Sequence, residues 1–99
     1  MDSADSAQDR PSWTFLSNHG HVLVCIGRNP DIRVREIAEA VGITERAVHR
    51  ILGELEEAGV ITRTRQGRRT HYRVDEARPL RHPIEDEHTV GELMLAVRS

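Results

Sequence analysis

The chain of 99 residues has no lysine, one cysteine and three aromatic side chains. Its single cysteine, Cys25, excludes a disulfide within the chain and a four-cysteine zinc site. The sequence has no apolar run near the roughly 20 residues that a transmembrane helix requires. Its first residues are acidic and polar, unlike those of a signal peptide. We therefore expect a cytoplasmic protein without a membrane partner.

The shortage of aromatic residues leaves the core to aliphatic side chains. A chain of this length can form one domain with a modest core, and dimerisation would add stability to it. Because all 14 basic residues are arginine, each basic contact to a phosphate or a guanine would come from a planar, forked donor. The net charge is −2, but both ends are acidic, and residues 60–74 hold five arginines and no acid. This uneven distribution makes nucleic acid the first hypothesis for the partner.

The middle of the chain predicts two amphipathic helices separated by a glycine. Apolar residues recur at helical spacing, which indicates one buried face on each helix. The two faces comprise Val34, Ile37, Ala38 and Val41, then Val48, Ile51, Leu52 and Leu55. Between them, Gly42 suits a left-handed helix end and Thr44 suits an N-cap. A short gap that contains glycine is typical of a helix-turn-helix unit.

Further elements flank this pair. Ser17 is a plausible N-cap for an earlier helix, roughly Asn18 to Arg28. After Val60 the pattern changes to a period of two, with a turn at residues 66–68, which predicts an antiparallel hairpin. Thr89 and Glu92 form the pattern of a capping box before a final short helix. That helix has an apolar stripe of Val90, Leu93, Met94 and Val97.

This order of elements resembles the winged helix-turn-helix regulators of bacteria and archaea, of the MarR and ArsR type. The likeness is carried by Ile37-Ala38, by residues 41–44, by Leu52 to Ile61 and by Arg65 to Val74. Residues 52–61 look like the family's L-x-x-L-E-x-A-G junction, and residues 65–74 look like its wing. The resemblance implies a mostly α, α+β fold with a three-helix core, a two-stranded β wing and a short C-terminal helix. It also implies a homodimeric transcriptional regulator that binds a pseudo-palindromic operator in double-stranded DNA.

We expect three segments. Residues 1–12 form a disordered leader, residues 13–75 form the winged helix-turn-helix domain, and residues 76–99 form a C-terminal segment. The candidate dimer surfaces are Trp13-Phe15-Leu16 and the apolar stripe of the last helix, although that stripe can instead close the monomer core. The chain lacks the Cys-x-Cys pair of ArsR-type metal sensors and the longer terminal helices of MarR-type proteins, so no effector is indicated.

The second helix of the central pair is the candidate reading helix. Its exposed candidates are Thr44, Glu45, Arg46, His49 and Arg50. The N-terminal part of a recognition helix usually enters the major groove, where arginine can form a fork with guanine O6 and N7. His49 can donate to a base or a phosphate. Glu45 is either an acceptor for cytosine or an acid that favours the helix start, and Thr44 is either a cap or a contact.

The hairpin supplies the remaining candidates, which are Arg63, Arg65, Arg68, Arg69 and His71. Arg68 and Arg69 flank the turn and can enter a narrow minor groove. The alternative is a solvated basic hairpin, or one that pairs with the acidic ends of the chain. The predicted function is sequence-specific DNA binding, with the helix in the major groove and the arginine-rich wing on the minor groove or the phosphates.

Two other functions stay open. One is a winged-helix module that binds protein, although apolar residues are more usual on such a surface than Arg46 and Arg50. The other is a metal- or ligand-responsive repressor, because His21 and Cys25 have a spacing that suits metal ligands. Cys25 lies in the most apolar run, where cysteine is usually a small core residue. No motif indicates a catalytic site or a cofactor, so we do not expect an enzyme.

Overall fold

The computed structural model describes residues 10–97 and contains four helices and a two-stranded sheet. The elements are α1 (Asn18–Arg28), α2 (Val34–Val41), α3 (Glu45–Glu57), β1 (Ile61–Gln66), β2 (Arg69–Val74) and α4 (Val90–Val97). This is the winged helix-turn-helix arrangement that the sequence predicts, with a three-helix core, a wing and a short last helix. The predicted leader falls mostly outside the described residues. Within residues 10–97, no helix combines the length and the apolar character needed to cross a bilayer.

Side-chain caps start three of the four helices, because the first N–H groups of a helix lack partners inside it. The Ser17 hydroxyl accepts from the N–H of Gly20 at 3.3 Å, and the Thr44 hydroxyl accepts from Ala47 at 3.0 Å. At α4, Thr89 and Glu92 form both arms of the capping box, at 2.8 and 3.2 Å. The α2 helix differs, since its N-cap residue Arg33 has no side-chain acceptor, and the Arg33 N–H instead donates to the Glu36 carboxylate at 2.9 Å.

The turn between α2 and α3 depends on Gly42. Its φ is 85°, in the left-handed region, and its N–H donates to the Ala38 carbonyl at 2.8 Å. The same carbonyl accepts from Ile43 at 3.1 Å, which closes the end of α2 before Thr44 starts α3. This glycine therefore sets the angle at which the candidate reading helix leaves its supporting helix.

Replacing Gly42 by alanine should destabilise the protein by about 1–2 kcal/mol, because an L side chain is strained in the left-handed region. The new Cβ would also lie 2.7 Å from the Arg10 guanidinium, although that flexible side chain can move. Gly53→Ala is the matched control. Gly53 lies within α3, and apart from its chain neighbours and its own helix backbone a Cβ added there would meet no atom within 4 Å, so alanine there should stabilise by about 0.5–1 kcal/mol. Urea denaturation measures both changes, and equal effects of the two variants would contradict the strained turn.

One hydrophobic cluster, mostly aliphatic, forms the core of the described residues. It includes Val22, Leu23 and Ile26 from α1, Ile37 and Ala38 from α2, and Val48, Ile51, Leu52 and Leu55 from α3. Val60, Ile61 and Tyr72 extend it to the wing, and Val90 and Met94 extend it to α4. The outer side of α4 is different, since Leu95 is 71% exposed.

The wing, defined as β1, β2 and the turn between them, is attached to the core only at its base. Its strands pair from Ile61↔Val74 to Gln66↔Arg69, with Gly67 and Arg68 at the tip. The N–H of Tyr72 donates to the Pro30 carbonyl at 2.8 Å, which ties β2 to the loop after α1. The base is therefore held by buried residues and a backbone bond, and the tip projects into solvent.

Residues 75–89 return the chain to the helical core. Pro79 and Thr89 form an isolated β-bridge, and the Arg78 carbonyl accepts from the N–H of Val90 at 2.8 Å. The N–H of Gly91 donates to the Glu76 carbonyl at 2.9 Å. This segment therefore supplies acceptors to the first turn of α4 and fixes where that helix packs.

Candidate nucleic-acid interface

The N-terminal half of α3 presents basic side chains to solvent. Arg46, His49 and Arg50 are exposed, while Val48 and Ile51, on the other side of the helix, are buried. This separation follows from the apolar spacing, since residues three and four apart share a helix face. The free N–H groups and the dipole of a helix N-terminus add a further attraction for an anion.

Acidic side chains occupy the C-terminal half of the same helix, and one of them contacts Arg50. Glu54 lies one turn after Arg50, with an N–O distance of 3.4 Å, and its carboxylate is 2.7 Å from His19 Nε2 of α1. The hydrogen bond with His19, followed by the charge of Arg50, lowers the pKa of Glu54. Glu54 therefore stays ionised to lower pH than an isolated glutamate, and it holds the Arg50 side chain along the helix.

A basic cleft opens between α3, the start of α2 and the wing. It has a volume of about 550 Å³. Its basic lining side chains are Arg33, His49, Arg65, Arg68 and Arg69, and Asp31 also lines it. Four of these five were predicted as candidates, and the fold brings them to one place. Arg33 was missed, because a basic residue before a helix carries no distinctive sequence signal for DNA contact.

Two wing arginines have partners within the protein. The Arg63 guanidinium donates to the Glu56 carboxylate at 2.7 and 3.1 Å, and its side chain is 31% exposed. Arg65 Nε donates to the Gly67 carbonyl at 3.1 Å, which braces the tip. These contacts assign both residues a part in positioning the wing, whereas the exposed Arg68 and Arg69 stand at the tip.

His71 of the wing pairs with a residue of the loop after α1. Its Nδ1 lies 2.8 Å from Asp31 Oδ1, and both side chains are about half exposed. This pair joins β2 to the loop after α1, next to the bond between Tyr72 and Pro30. Thr44 is likewise engaged, because its hydroxyl caps α3. Glu45 is the exposed first residue of that helix.

The metal alternative finds no support in the described part of the chain. Residues 10–97 contain no group of three or more histidine, cysteine or acidic side chains placed to hold an ion. His21 Nδ1 lies 3.3 Å from Asn18 Oδ1, and burial raises the pKa of the Cys25 thiol. A neutral, partly buried thiol is neither a ready ligand nor a ready nucleophile.

The fold and this surface define a winged helix-turn-helix domain, and comparison with known proteins supports the same class. A family model described as "Winged helix-turn-helix DNA-binding" matches residues 17–62, which run from the cap of α1 into β1. The match shows similarity to DNA-binding winged helix-turn-helix domains over slightly less than half of the chain, and it does not specify the MarR or ArsR type.

The chain is also similar to riboflavin kinase of Thermococcus kodakarensis. The two are 43% identical over 49 residues, which is 50% of this chain and 23% of that kinase. The chain thus spans less than a quarter of the curated relative that it matches.

Proposed function

We propose that this protein is a transcriptional regulator that binds double-stranded DNA in a sequence-specific manner. The observation that carries the proposal is the basic cleft, because it places His49 of α3 and the wing arginines Arg65, Arg68 and Arg69 on one surface. A contiguous arginine surface can displace counterions from a phosphate backbone, which is the main source of DNA affinity. The local surface therefore outweighs the net charge of −2.

In this proposal, helix and wing have different tasks. The N-terminal half of α3 enters the major groove, where Arg46 and Arg50 reach base edges and His49 contacts a base or a phosphate. Arg68 and Arg69 at the tip follow the minor groove or its phosphates. Arg63 and His71 act mainly through the positions that their internal contacts give to the wing, and Arg65 both braces the tip and adds its charge to the cleft.

We also propose a homodimer on a pseudo-palindromic operator, as in regulators of the MarR and ArsR type, acting as a repressor in the cytoplasm. The exposed apolar side chains available for an interface include Trp13, 67% exposed, and Leu95. Val90 and Met94 are buried in the core, so we propose that the inner side of α4 packs on the monomer core.

Riboflavin kinase activity is not proposed, because the similarity covers only 23% of that enzyme.

The salt dependence of DNA affinity tests whether the wing contacts phosphates. Arg68→Ala should reduce the slope of log affinity against log salt by about 0.9, because one phosphate contact releases about that many counterions. Fluorescence anisotropy with a labelled duplex measures the slope. Arg81→Ala, which removes the same charge from the exposed segment before α4, should leave the slope unchanged. An unchanged slope in the Arg68 variant would remove Arg68 from the interface.

A gel shift against random genomic fragments tests the function as a whole. At about 50 mM salt, electrostatic binding is strong, and we expect a shift. No shift under these conditions would overturn DNA binding and favour the protein-interaction alternative.

A further inference from the structure

A larger groove lies between the N-terminal end of α1, the C-terminal half of α3 and the segment that leads to α4. Its volume is about 840 Å³, within the range of small-molecule sites. The apolar lining side chains include Leu16, Leu23, Leu55, Val60, Leu80 and Leu93. DNA binding as proposed above uses none of these residues, so the groove needs a separate explanation.

Acidic side chains predominate among the charged residues of this groove. Glu54, Glu57 and Glu85 line it, against Arg81 and His19. Glu54 is shared with His19 and Arg50, as described above. The carboxylates of Glu57 and Glu85 make no hydrogen bond or ion pair with any side chain in residues 10–97. The groove therefore offers two unengaged negative charges beside an apolar wall.

An exposed aromatic pair stands at the same groove. Phe15 lines it and is 93% exposed, and the Trp13 ring packs edge-on against Phe15 with centroids 5.1 Å apart. The face of an aromatic ring attracts a cation within about 6 Å, and more strongly when the cation is partly desolvated. Aromatic rings and free carboxylates beside an apolar wall favour one class of ligand, an apolar molecule that has a positive charge.

We propose that this groove binds amphipathic organic cations. The apolar body of the ligand packs against Leu23, Leu55 and Leu80, and its charge lies near Glu57, Glu85 and the Phe15 ring. The unengaged carboxylates of Glu57 and Glu85 would repel an apolar anion. A second copy of the chain, docked groove to groove about a two-fold axis, would bring an identical acidic rim against this one. The cation suits both the apolar wall and the net negative charge of the lining, in which Glu54, Glu57 and Glu85 outnumber Arg81.

The groove also shares a residue with the proposed DNA surface, and this second step rests on the proposed function. Glu54 lines the groove and contacts Arg50. A cation bound near Glu57 and Glu85 also attracts the Glu54 carboxylate in the same lining, so it competes with Arg50 for that carboxylate and frees the guanidinium for DNA. Occupation of the groove should therefore tighten DNA binding by about two- to fivefold, in keeping with the modest strength of an exposed ion pair.

Trp13 is the only tryptophan in the chain and packs on Phe15, which lines the groove, so its fluorescence reports on occupation of the groove through that contact. Tetraphenylphosphonium and tetraphenylborate are matched probes of similar size and opposite charge. We expect a saturable change in Trp13 emission with the phosphonium and an affinity for the borate at least about tenfold lower, because like charges oppose binding. The Glu57→Gln, Glu85→Gln double variant should lose most of this preference. Glu39→Gln, on the exposed side of α2, should keep it.

Equal affinity for the two probes, no binding of the phosphonium, or an unaltered preference in the double variant would overturn the cation site. Self-association that changes Trp13 emission as the protein concentration rises, and that prevents phosphonium binding, would also overturn the cation site. It would show that a second copy of the chain occupies the groove. Anisotropy with labelled DNA tests the second step. Phosphonium binding without a change in DNA affinity overturns the coupling through Glu54. Phosphonium binding by a chain that binds no DNA overturns only the proposed function.

Discussion

Replacing Met94 by alanine should lower the free energy of unfolding by about 2–5 kcal/mol. Met94 is 1% exposed and belongs to the same apolar cluster as the first three helices, so truncation leaves a cavity in the core. Leu95→Ala is the matched control one residue later. Leu95 is 71% exposed, and its truncation should change stability by no more than about 0.5 kcal/mol. Urea denaturation at several protein concentrations measures both variants.

This pair of variants separates the two roles that the apolar stripe of α4 could have. A large loss for Met94→Ala that does not depend on protein concentration supports closure of the monomer core. A small loss for both variants would mean that α4 does not pack on the core. A loss for Leu95→Ala that grows on dilution would instead assign the outer side of α4 to a dimer interface, because dimer stability depends on concentration.

Arg46→Ala and Arg50→Ala should each weaken binding to a selected DNA site by about 1–3 kcal/mol, or roughly 5- to 150-fold. Binding to a scrambled duplex should weaken less, since a forked contact to guanine exists only at the correct base. The site is first selected from random duplexes with the unmodified protein, and anisotropy then compares the selected and scrambled duplexes. Arg50 should show the smaller effect of the two, because Glu54 already engages its guanidinium.

Two control variants test whether Arg46 and Arg50 read bases or only add positive charge. Arg46→Lys keeps the charge but removes the planar fork, so it should retain the salt slope and lose discrimination between duplexes. Arg81→Ala removes an arginine outside the proposed interface and should change neither quantity. Equal losses on the selected and scrambled duplexes would show that Arg46 and Arg50 contact phosphates and do not read bases.

The helices and their ends could be predicted because they depend on neighbours in the chain. The Thr44 cap contacts Ala47, the capping box joins Thr89 to Glu92, and Gly42 bonds back to Ala38, all within four residues. Helical and strand periodicity likewise fixes which residues share a face. The wing was predictable for the same reason, since its turn follows directly from Gly67 and the alternation around it.

The partners of the candidate site residues could not be predicted, because they come from distant parts of the chain. Glu54 meets His19 from 35 positions away, and His71 meets Asp31 from 40 positions away. Even Arg63 and Glu56, seven residues apart, meet only because the chain reverses between α3 and β1. These contacts separate arginines that support the wing from arginines that stand free at its tip, a distinction that composition does not contain.

The sequence by itself determined the order of elements, the helix ends, the buried faces and the separation of basic from acidic charge along α3. Each of these depends on residue type and on spacing over a few positions. Only the tertiary structure decided that the wing and α3 enclose one basic cleft, that Met94 faces the core while Leu95 faces solvent, and that unengaged carboxylates stand beside an apolar groove. Those features depend on how whole elements pack, and packing is set by the shared core and not by any one segment of the chain.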